Sequence, residues 1–141
     1  MKIAIAADHG GFEMKQHLIK YLTDKGHTVS DFGTDSVQSV DYPIYATRVT
    51  DVILANEDEF GILVCGTGIG MSLAANKVAG IRAAVCNEPL SARLARAHNN
   101  ANVLCIGARV IGLAMAEFIV DEFIETAFEG GRHAERIGMF K

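Results

Sequence analysis

The residues best suited to chemistry lie in one short turn, residues 65–70, which reads CGTGIG. Cys65 carries a thiol, and glycines follow it at alternate positions, at Gly66, Gly68 and Gly70. Glycine allows backbone angles that other residues avoid, so the chain can bring its N–H groups close to an anion. Near a helix N-terminus these groups also favour the thiolate over the thiol. The turn therefore predicts a base beside a cradle for an oxyanion or a phosphate.

The turn does not match the common nucleotide-binding loops. No Gly-Lys-Ser/Thr follows it, as a Walker loop requires, and its third glycine falls one residue early for the dinucleotide fingerprint. A tight strand-to-helix turn without a ligand is the structural alternative. Cys65 has a similar alternative, because cysteine often fills a buried position. We predict that role for Cys86 and Cys105, which lack adjoining glycines.

Two histidines are further candidates. Asp8 and His9 end the first apolar run, where the acid could cap the next helix or hold a hydroxyl group of a ligand. His98 falls in the last turn of a predicted helix, on the same face as Leu90 and Leu94. Its ring could interact with the helix dipole alone, or it could act as an acid and base near neutral pH.

Three arginines suggest a phosphate site. Arg132 and Arg136 are four residues apart, so on a helix they share one face. Arg109 follows the last predicted strand. Arginine binds phosphate through paired N–H donors, and these three residues stand in an otherwise acidic chain. Together they indicate a small phosphorylated ligand, although exposed arginines near a chain end are often only solvated.

Apolar runs and helical patterns alternate five times along the chain. Strands are predicted at 2–7, 27–32, 60–65, 81–86 and 102–106, and helices at 12–25, 42–56, from the glycine turn to 78, 89–98 and 110–126. Continuously apolar strands are typical of a parallel sheet that helices cover on both faces. We therefore predict one α/β domain over residues 1–141, doubly wound, Rossmann- or flavodoxin-like, with three layers and a five-stranded parallel sheet. Sites in such sheets form at the carboxyl ends of the strands, where Asp8, Cys65 and Arg109 fall.

Composition limits the classes to which the protein can belong. Half of its 141 residues are hydrophobic and 21% are charged, as expected for a globular chain. The net charge of −4 argues against a nucleic-acid partner or an anionic membrane surface. No apolar run reaches the roughly 20 residues of a membrane helix, and the first residues indicate a strand, not a signal peptide. Three cysteines without metal-like spacing predict free thiols and a cytoplasmic protein.

The last long helix, predicted at 110–126, is apolar nearly all round. One stripe contains Leu113, Ala116, Val120 and Phe123, and another side carries Met115, Phe118 and Ile119. A helix of this kind needs cover on both sides. The second cover is either another subunit, which predicts an oligomer, or the C-terminal tail of the same chain.

Eight motifs of this chain resemble those of the ribose/galactose isomerase family. They are ADHGG at 7–11, DYP at 41–43, CGTGIG at 65–70, AANK at 74–77, RAAVC at 82–86, ARAHNNANVL at 95–104, GARV at 107–110 and EGGRH at 129–133. The resemblance covers nearly the whole chain. It implies an aldose–ketose isomerase that interconverts D-ribose 5-phosphate and D-ribulose 5-phosphate, a step of the pentose phosphate pathway. It also implies that no metal or organic cofactor takes part.

The resemblance assigns a role to each candidate. It implies that Cys65 moves a proton between C2 and C1 of the sugar and that His98 opens the sugar ring. It also implies that the enediolate is stabilised by the turn formed by Gly66, Thr67, Gly68, Ile69 and Gly70. The substrate-binding residues that it implies are Asp8 and Asn99 at the sugar oxygens, and His9, Arg109, Arg132 and Arg136 towards the phosphate. One branch of the family uses a glutamate just after the turn as its base, but Met71 stands there in this chain.

The resemblance further implies a homodimer, or a tetramer, with sites shared between subunits. The neighbouring subunit would supply the segment around His98, and the tail at 127–141 would complete the phosphate site. Two alternatives remain at this point. One is a related substrate, allose 6-phosphate or galactose 6-phosphate. The other is a non-catalytic flavin- or nucleotide-binding module, although such a module needs a phosphate loop where this chain has Asp8.

Overall fold

A computed structural model describes residues 1–140 and contains one five-stranded sheet. Every pair of neighbouring strands is parallel, which confirms the predicted fold class. The strands are β1 (Lys2–Ala7), β2 (Thr28–Asp31), β3 (Phe60–Cys65), β4 (Ala83–Val85) and β5 (Val103–Gly107).

Six α-helices and one short 3-10 helix, His9–Gly11, connect and follow these strands in the described residues. The helices are α1 (Phe12–Asp24), α2 (Tyr42–Leu54), α3 (Ile69–Asn76), α4 (Pro89–Ala97), α5 (Leu113–Glu125) and α6 (Arg132–Ile137). The longest have 13 residues, whereas a membrane span needs about 20. None of the helices between residues 1 and 140 can therefore cross a membrane.

Alternating side chains of the strands build two cores, one on each face of the sheet. Ile62 and Val64 of β3 pack with α1, α4 and α5. Leu63 and Cys65 point to the other face and pack with α2 and α3. The molecule thus has three layers, and the thiol of Cys65 belongs to the α2–α3 side.

The strand order β2-β1-β3-β5-β4 decides what surrounds Cys65. In the flavodoxin order, 2-1-3-4-5, the fourth strand lies beside the third. Here β5 takes that place, and Gly107 pairs with Cys65 in the register. The residues that follow β5, including Arg109, are consequently brought next to the thiol.

Helix α5 begins later than the sequence pattern predicts, at Leu113 instead of residue 110. The N–H groups of Val110 and Ile111 both donate to the carbonyl oxygen of Gly107, so this segment folds into a turn at the end of β5.

The predicted apolar stripe of α5 was partly wrong. Its buried residues are Ala116, Ile119, Val120 and Phe123, together with Ile124. Leu113 was assigned to that stripe, but it is 46% exposed because it is the first residue of the helix. Met115 and Phe118 are also exposed, so the tail does not cover them.

Arg96 joins the end of α4 to the end of α5. Its guanidinium lies beside two aromatic rings that contact each other, 4.6 Å from the centroid of Phe60 and 5.9 Å from that of Phe123. It donates hydrogen bonds to the carbonyl oxygens of Ala101 at 2.6 Å and Thr126 at 3.3 Å. Burial lowers the pKa of Arg96. These contacts fix the segment that follows α4, which carries two of the candidate residues.

We expect Arg96→Lys to lower the free energy of unfolding by about 1–3 kcal/mol, because one ammonium cannot reach both carbonyl oxygens or stack on an aromatic ring as a planar guanidinium does. Urea denaturation followed by circular dichroism measures the change. The matched control is Arg93→Lys, whose guanidinium pairs with Glu122 on the surface and should change stability by less than about 1 kcal/mol. Equal losses in both variants would contradict the role given to Arg96.

Candidate active site

The thiol of Cys65 lies inside the turn between β3 and α3. Its sulfur accepts a hydrogen bond from the N–H of Gly68 at 3.1 Å, and the residue is only 6% exposed. Gly68 has a φ of 81°, in the left-handed region that favours glycine, and it caps the start of α3. A hydrogen bond donated to sulfur favours the thiolate. The turn therefore holds the sulfur through a backbone donor at the start of α3.

The same turn carries backbone donors that have no internal acceptor. Within residues 1–140, the N–H groups of Gly66, Thr67, Gly70 and Met71 donate no hydrogen bond to another residue. The N–H of Ile69 differs, because it donates to the hydroxyl oxygen of Thr67 at 3.2 Å. Unpaired N–H groups at the start of a helix bind anions. This turn can thus stabilise an oxyanion next to the sulfur.

Close contact with β5 fixes the path of the turn. A Cβ atom added at Gly107 would lie 2.6 Å from the Cα and carbonyl carbon of Thr67. A Cβ at Gly68 would lie 3.1 Å from the carbonyl carbon of Ile106. No side chain fits at Gly107, so the turn packs backbone against backbone on the end of β5.

Tyr42 reaches the same turn and was not among the residues proposed from the sequence. It is the first residue of α2, and a Cβ at Gly70 would lie 2.7 Å from its ring. Its side chain is partly exposed and lies within reach of a ligand at the turn. Tyr42 belongs to the DYP motif at 41–43, which could have marked it as a candidate. Spacing alone does not indicate that α2 and α3 start side by side.

Asp8 serves as a cap and still has one oxygen free. Its Oδ1 accepts hydrogen bonds from the N–H groups of Gly10 at 2.9 Å and Gly11 at 3.2 Å. Its Oδ2 accepts none from residues 1–140, and so remains available to a ligand. A Cβ at Gly10 would lie 3.6 Å from the nitrogen of Gly66, so this loop packs against the thiol turn.

His9 and Arg109 place basic groups at the same edge of the sheet. The Nδ1 of His9 accepts a hydrogen bond from the N–H of Val40 at 3.2 Å, which leaves Nε2 to carry the proton. The side chain of Arg109 lies over Gly66, where an added Cβ would be 3.4 Å from its Cδ. Both residues can therefore bind an anionic ligand beside Cys65.

His98 and Asn99 lie at the opposite edge of the sheet. They follow α4, which runs back from the carboxyl end of β4 to the point where β5 begins. Cys65 pairs with the last residue of β5. The length of β5, about 13 Å at 3.3 Å per residue, therefore separates the two groups. One chain does not bring His98 or Asn99 to the thiol.

The C-terminal segment joins His98 at that edge. The rings of His98 and His133 are stacked, with centroids 4.3 Å apart and planes 10° apart. Arg132 and Arg136 both lie on α6 and are exposed. Arg132 and Arg136 thus lie with His98 and away from Cys65, whereas Arg109, the third predicted phosphate-binding arginine, lies beside the thiol. Lys141, the last residue of the predicted phosphate-site tail, lies outside the described residues.

The other two thiols are fully enclosed. Cys86 is 2% exposed and burial raises its pKa to about 11. Burial also raises the pKa of Cys105, which is completely inaccessible. Both remain protonated at neutral pH and act as apolar fillers. Met71, the residue directly after the turn, is equally buried.

Comparison with known proteins finds relatives over nearly the whole chain. Residues 3–140 match the family model described as Ribose/Galactose Isomerase. Ribose-5-phosphate isomerase B of Escherichia coli is 50% identical over 136 residues, which cover 96% of this chain and 91% of that protein. The chain belongs to the ribose/galactose isomerase family.

Solved structures of this family have the same fold. The ribose 5-phosphate isomerase of Thermotoga maritima superposes with a TM-score of 0.97 at 57% identity, covering 98% of this chain and 95% of that one. The Mycoplasma genitalium ribose-5-phosphate isomerase B, solved with bound ribulose-5-phosphate, gives a TM-score of 0.94 at 42% identity, with 98% and 92% coverage.

The contact between the turn and β5 yields a testable prediction. Gly107→Ala forces the backbone of Thr67 away and displaces the N–H groups around Cys65, so we expect isomerase activity to fall about a hundredfold. Unfolding free energy should fall by about 1–3 kcal/mol. The control is Gly112→Ser: an added Cβ there meets nothing within 4 Å, and serine is a good helix cap. Normal activity in Gly107→Ala would show that the contact does not position the turn.

Proposed function

We propose that this protein interconverts D-ribose 5-phosphate and D-ribulose 5-phosphate, as an isomerase of the pentose phosphate pathway. The observation that carries the proposal is the sulfur of Cys65, held by the N–H of Gly68 beside a set of unpaired N–H donors. Relatives named ribose-5-phosphate isomerase B, one of them holding ribulose-5-phosphate, support this substrate.

The reaction begins with the closed sugar, and His98 transfers the proton that opens the ring. The free carboxylate oxygen of Asp8 and the amide of Asn99 hold sugar oxygens during this step. Imidazole suits the role because it both accepts and donates a proton near neutral pH.

The isomerisation step then belongs to Cys65. Its thiolate removes the proton from C2 of the open-chain aldose, and the electron pair of that bond forms a double bond between C1 and C2. The carbonyl oxygen on C1 becomes an oxyanion, which the unpaired N–H groups of residues 66–71 stabilise. Transfer of the hydroxyl proton from O2 to O1, and return of the thiol proton to C1, complete the ketose. No step in this scheme needs a metal or an organic cofactor.

A second copy of the chain completes the site in our proposal. The distance between Cys65 and His98 within one chain supports this arrangement, since both must reach one sugar. Apolar side chains are also exposed near the thiol turn, including Ile44, Ile69 and Leu73. A separate apolar surface on α5 is also exposed, with Phe118 63% exposed, and could form the second interface that a tetramer needs.

The phosphate group lies, in the proposed site, between basic residues of both copies. His9 and Arg109 come from the subunit that provides Cys65. Arg132 and Arg136 come from the tail of the neighbour, together with its His98. Arg132 and Arg136 are exposed within a single chain, which supports a role across an interface. Their guanidinium groups are accessible and can donate paired hydrogen bonds to a phosphate group.

We also propose a cytoplasmic location. Cys65, Cys86 and Cys105 are all free, and unpaired thiols are typical of a reducing compartment.

The direct test is isomerisation of ribose 5-phosphate by the purified protein in EDTA, with Cys65→Ser beside it. We expect kcat to fall about 10²- to 10⁴-fold in this variant, the usual contribution of a general base. Cys86→Ser is the matched control, because it removes another buried thiol that has no role in the scheme. Allose 6-phosphate and galactose 6-phosphate serve as competing substrates.

Each outcome has a distinct meaning. Full turnover in Cys65→Ser would exclude the thiol base while keeping the isomerase. Turnover of a hexose phosphate alone would move the protein to a different substrate within its family. Inactivity on every sugar would contradict the proposed reaction.

A further inference from the structure

Three groups that bind metal ions meet where the C-terminal segment crosses the end of α4. The Nε2 of His133 lies 3.5 Å from the Oε1 of Glu129, and the Nε2 of His98 lies 3.9 Å from the same oxygen. One ligand atom from each residue lies within 4.8 Å of the other two. Two imidazoles and one carboxylate are a donor set that Zn²⁺ prefers.

The distances are close to those of a zinc site. With bonds of about 2.0–2.1 Å, two ligands of a tetrahedral zinc ion stand about 3.4 Å apart. The pair formed by Glu129 and His133 already has that spacing. The Nε2 of His98 must come about half an ångström closer to the Oε1 of Glu129, and the ligand nitrogens of the two histidines lie within 4.8 Å of each other. Because the two rings are nearly parallel, one ring must turn about its Cβ–Cγ bond to direct its nitrogen at the ion. The side chain of His98 is 40% exposed and has room for this rotation.

The backbone holds the three residues in place before any ion binds. The N–H of Glu129 donates to the carbonyl oxygen of Ala97 at 3.0 Å, next to His98. The N–H of His98 donates in turn to the carbonyl oxygen of Leu94 at 2.9 Å. The side chain of His133 is only 11% exposed, packed against the ring of His98. Little conformational freedom is therefore lost when the ligands close on an ion.

We propose that His98, Glu129 and His133 form a binding site for Zn²⁺ or a similar divalent transition-metal ion. The Nε2 of His98 coordinates the ion, so this nitrogen can no longer accept or donate a proton. It follows, on the basis of the proposed function, that the ion inhibits the isomerase instead of assisting it. The binding itself does not depend on that function.

Equilibrium dialysis of the purified protein against Zn²⁺ tests the binding. We expect one high-affinity ion per chain, with affinity at least about tenfold lower in Glu129→Gln and in His133→Asn. The control is His17→Asn, which alters a surface histidine paired only with Glu117 and should leave the affinity unchanged. A Cys65→Ser variant tests the thiol as a competing ligand.

The site would be excluded if the wild-type protein bound no Zn²⁺, or if Glu129→Gln and His133→Asn bound it as tightly as His17→Asn. Loss of binding in Cys65→Ser alone would also exclude it, since the ion would then lie at the thiol.

Activity gives a separate measurement. We expect Zn²⁺ to inhibit turnover of ribose 5-phosphate, EDTA to reverse this, and Glu129→Gln to need at least about ten times more Zn²⁺ for the same fractional inhibition. Binding without inhibition would refute the inhibitory role of the ion. A protein that binds Zn²⁺ but isomerises no sugar would refute the proposed function and leave the metal site intact.

Discussion

The shared direction of the five strands separates the reactive groups of this chain onto two edges of one sheet. Cys65, Asp8 and Arg109 follow strands and lie at the carboxyl edge, whereas His98 and Asn99 follow a helix that has returned to the amino edge. The extended backbone of β5 separates the two edges by about 13 Å. Within one chain this separation keeps His98 away from Cys65, so the chemistry we propose needs a second copy of the chain.

At the carboxyl edge, the tight packing between the thiol turn and β5 determines the position of Cys65, the proposed base. The strand order places β5 beside β3, and Gly107 lets the backbone of Thr67 lie directly on it. The sulfur of Cys65 is held by a backbone N–H, not by another side chain. Backbone donors cost no reorganisation during the reaction, which is why a rigid turn suits an enediolate intermediate.

Local sequence patterns predicted much of this structure. Four of the five strands follow continuous apolar runs, whereas β2 has the sequence TVSD. The sequence indicated the thiol beside its glycines because both lie within six residues. The order of β4 and β5 was not accessible, since apolar periodicity contains no information on which strands are neighbours. The same limit explains why Tyr42 was missed: its contact with Gly70 joins the starts of two helices far apart in sequence. The exposure of Leu113 was misjudged because a turn on Gly107 delays the start of α5.

The central claim, a site built from two subunits, has one direct test. Cys65→Ser and His98→Asn are each prepared alone, then mixed and allowed to exchange subunits through unfolding and refolding. In half of the dimers one site contains both mutations and the other contains neither, so the account predicts recovery of about a quarter of the wild-type activity. If each site came from a single chain, every site would keep one mutation. A mixture no more active than the separate variants would therefore contradict the account.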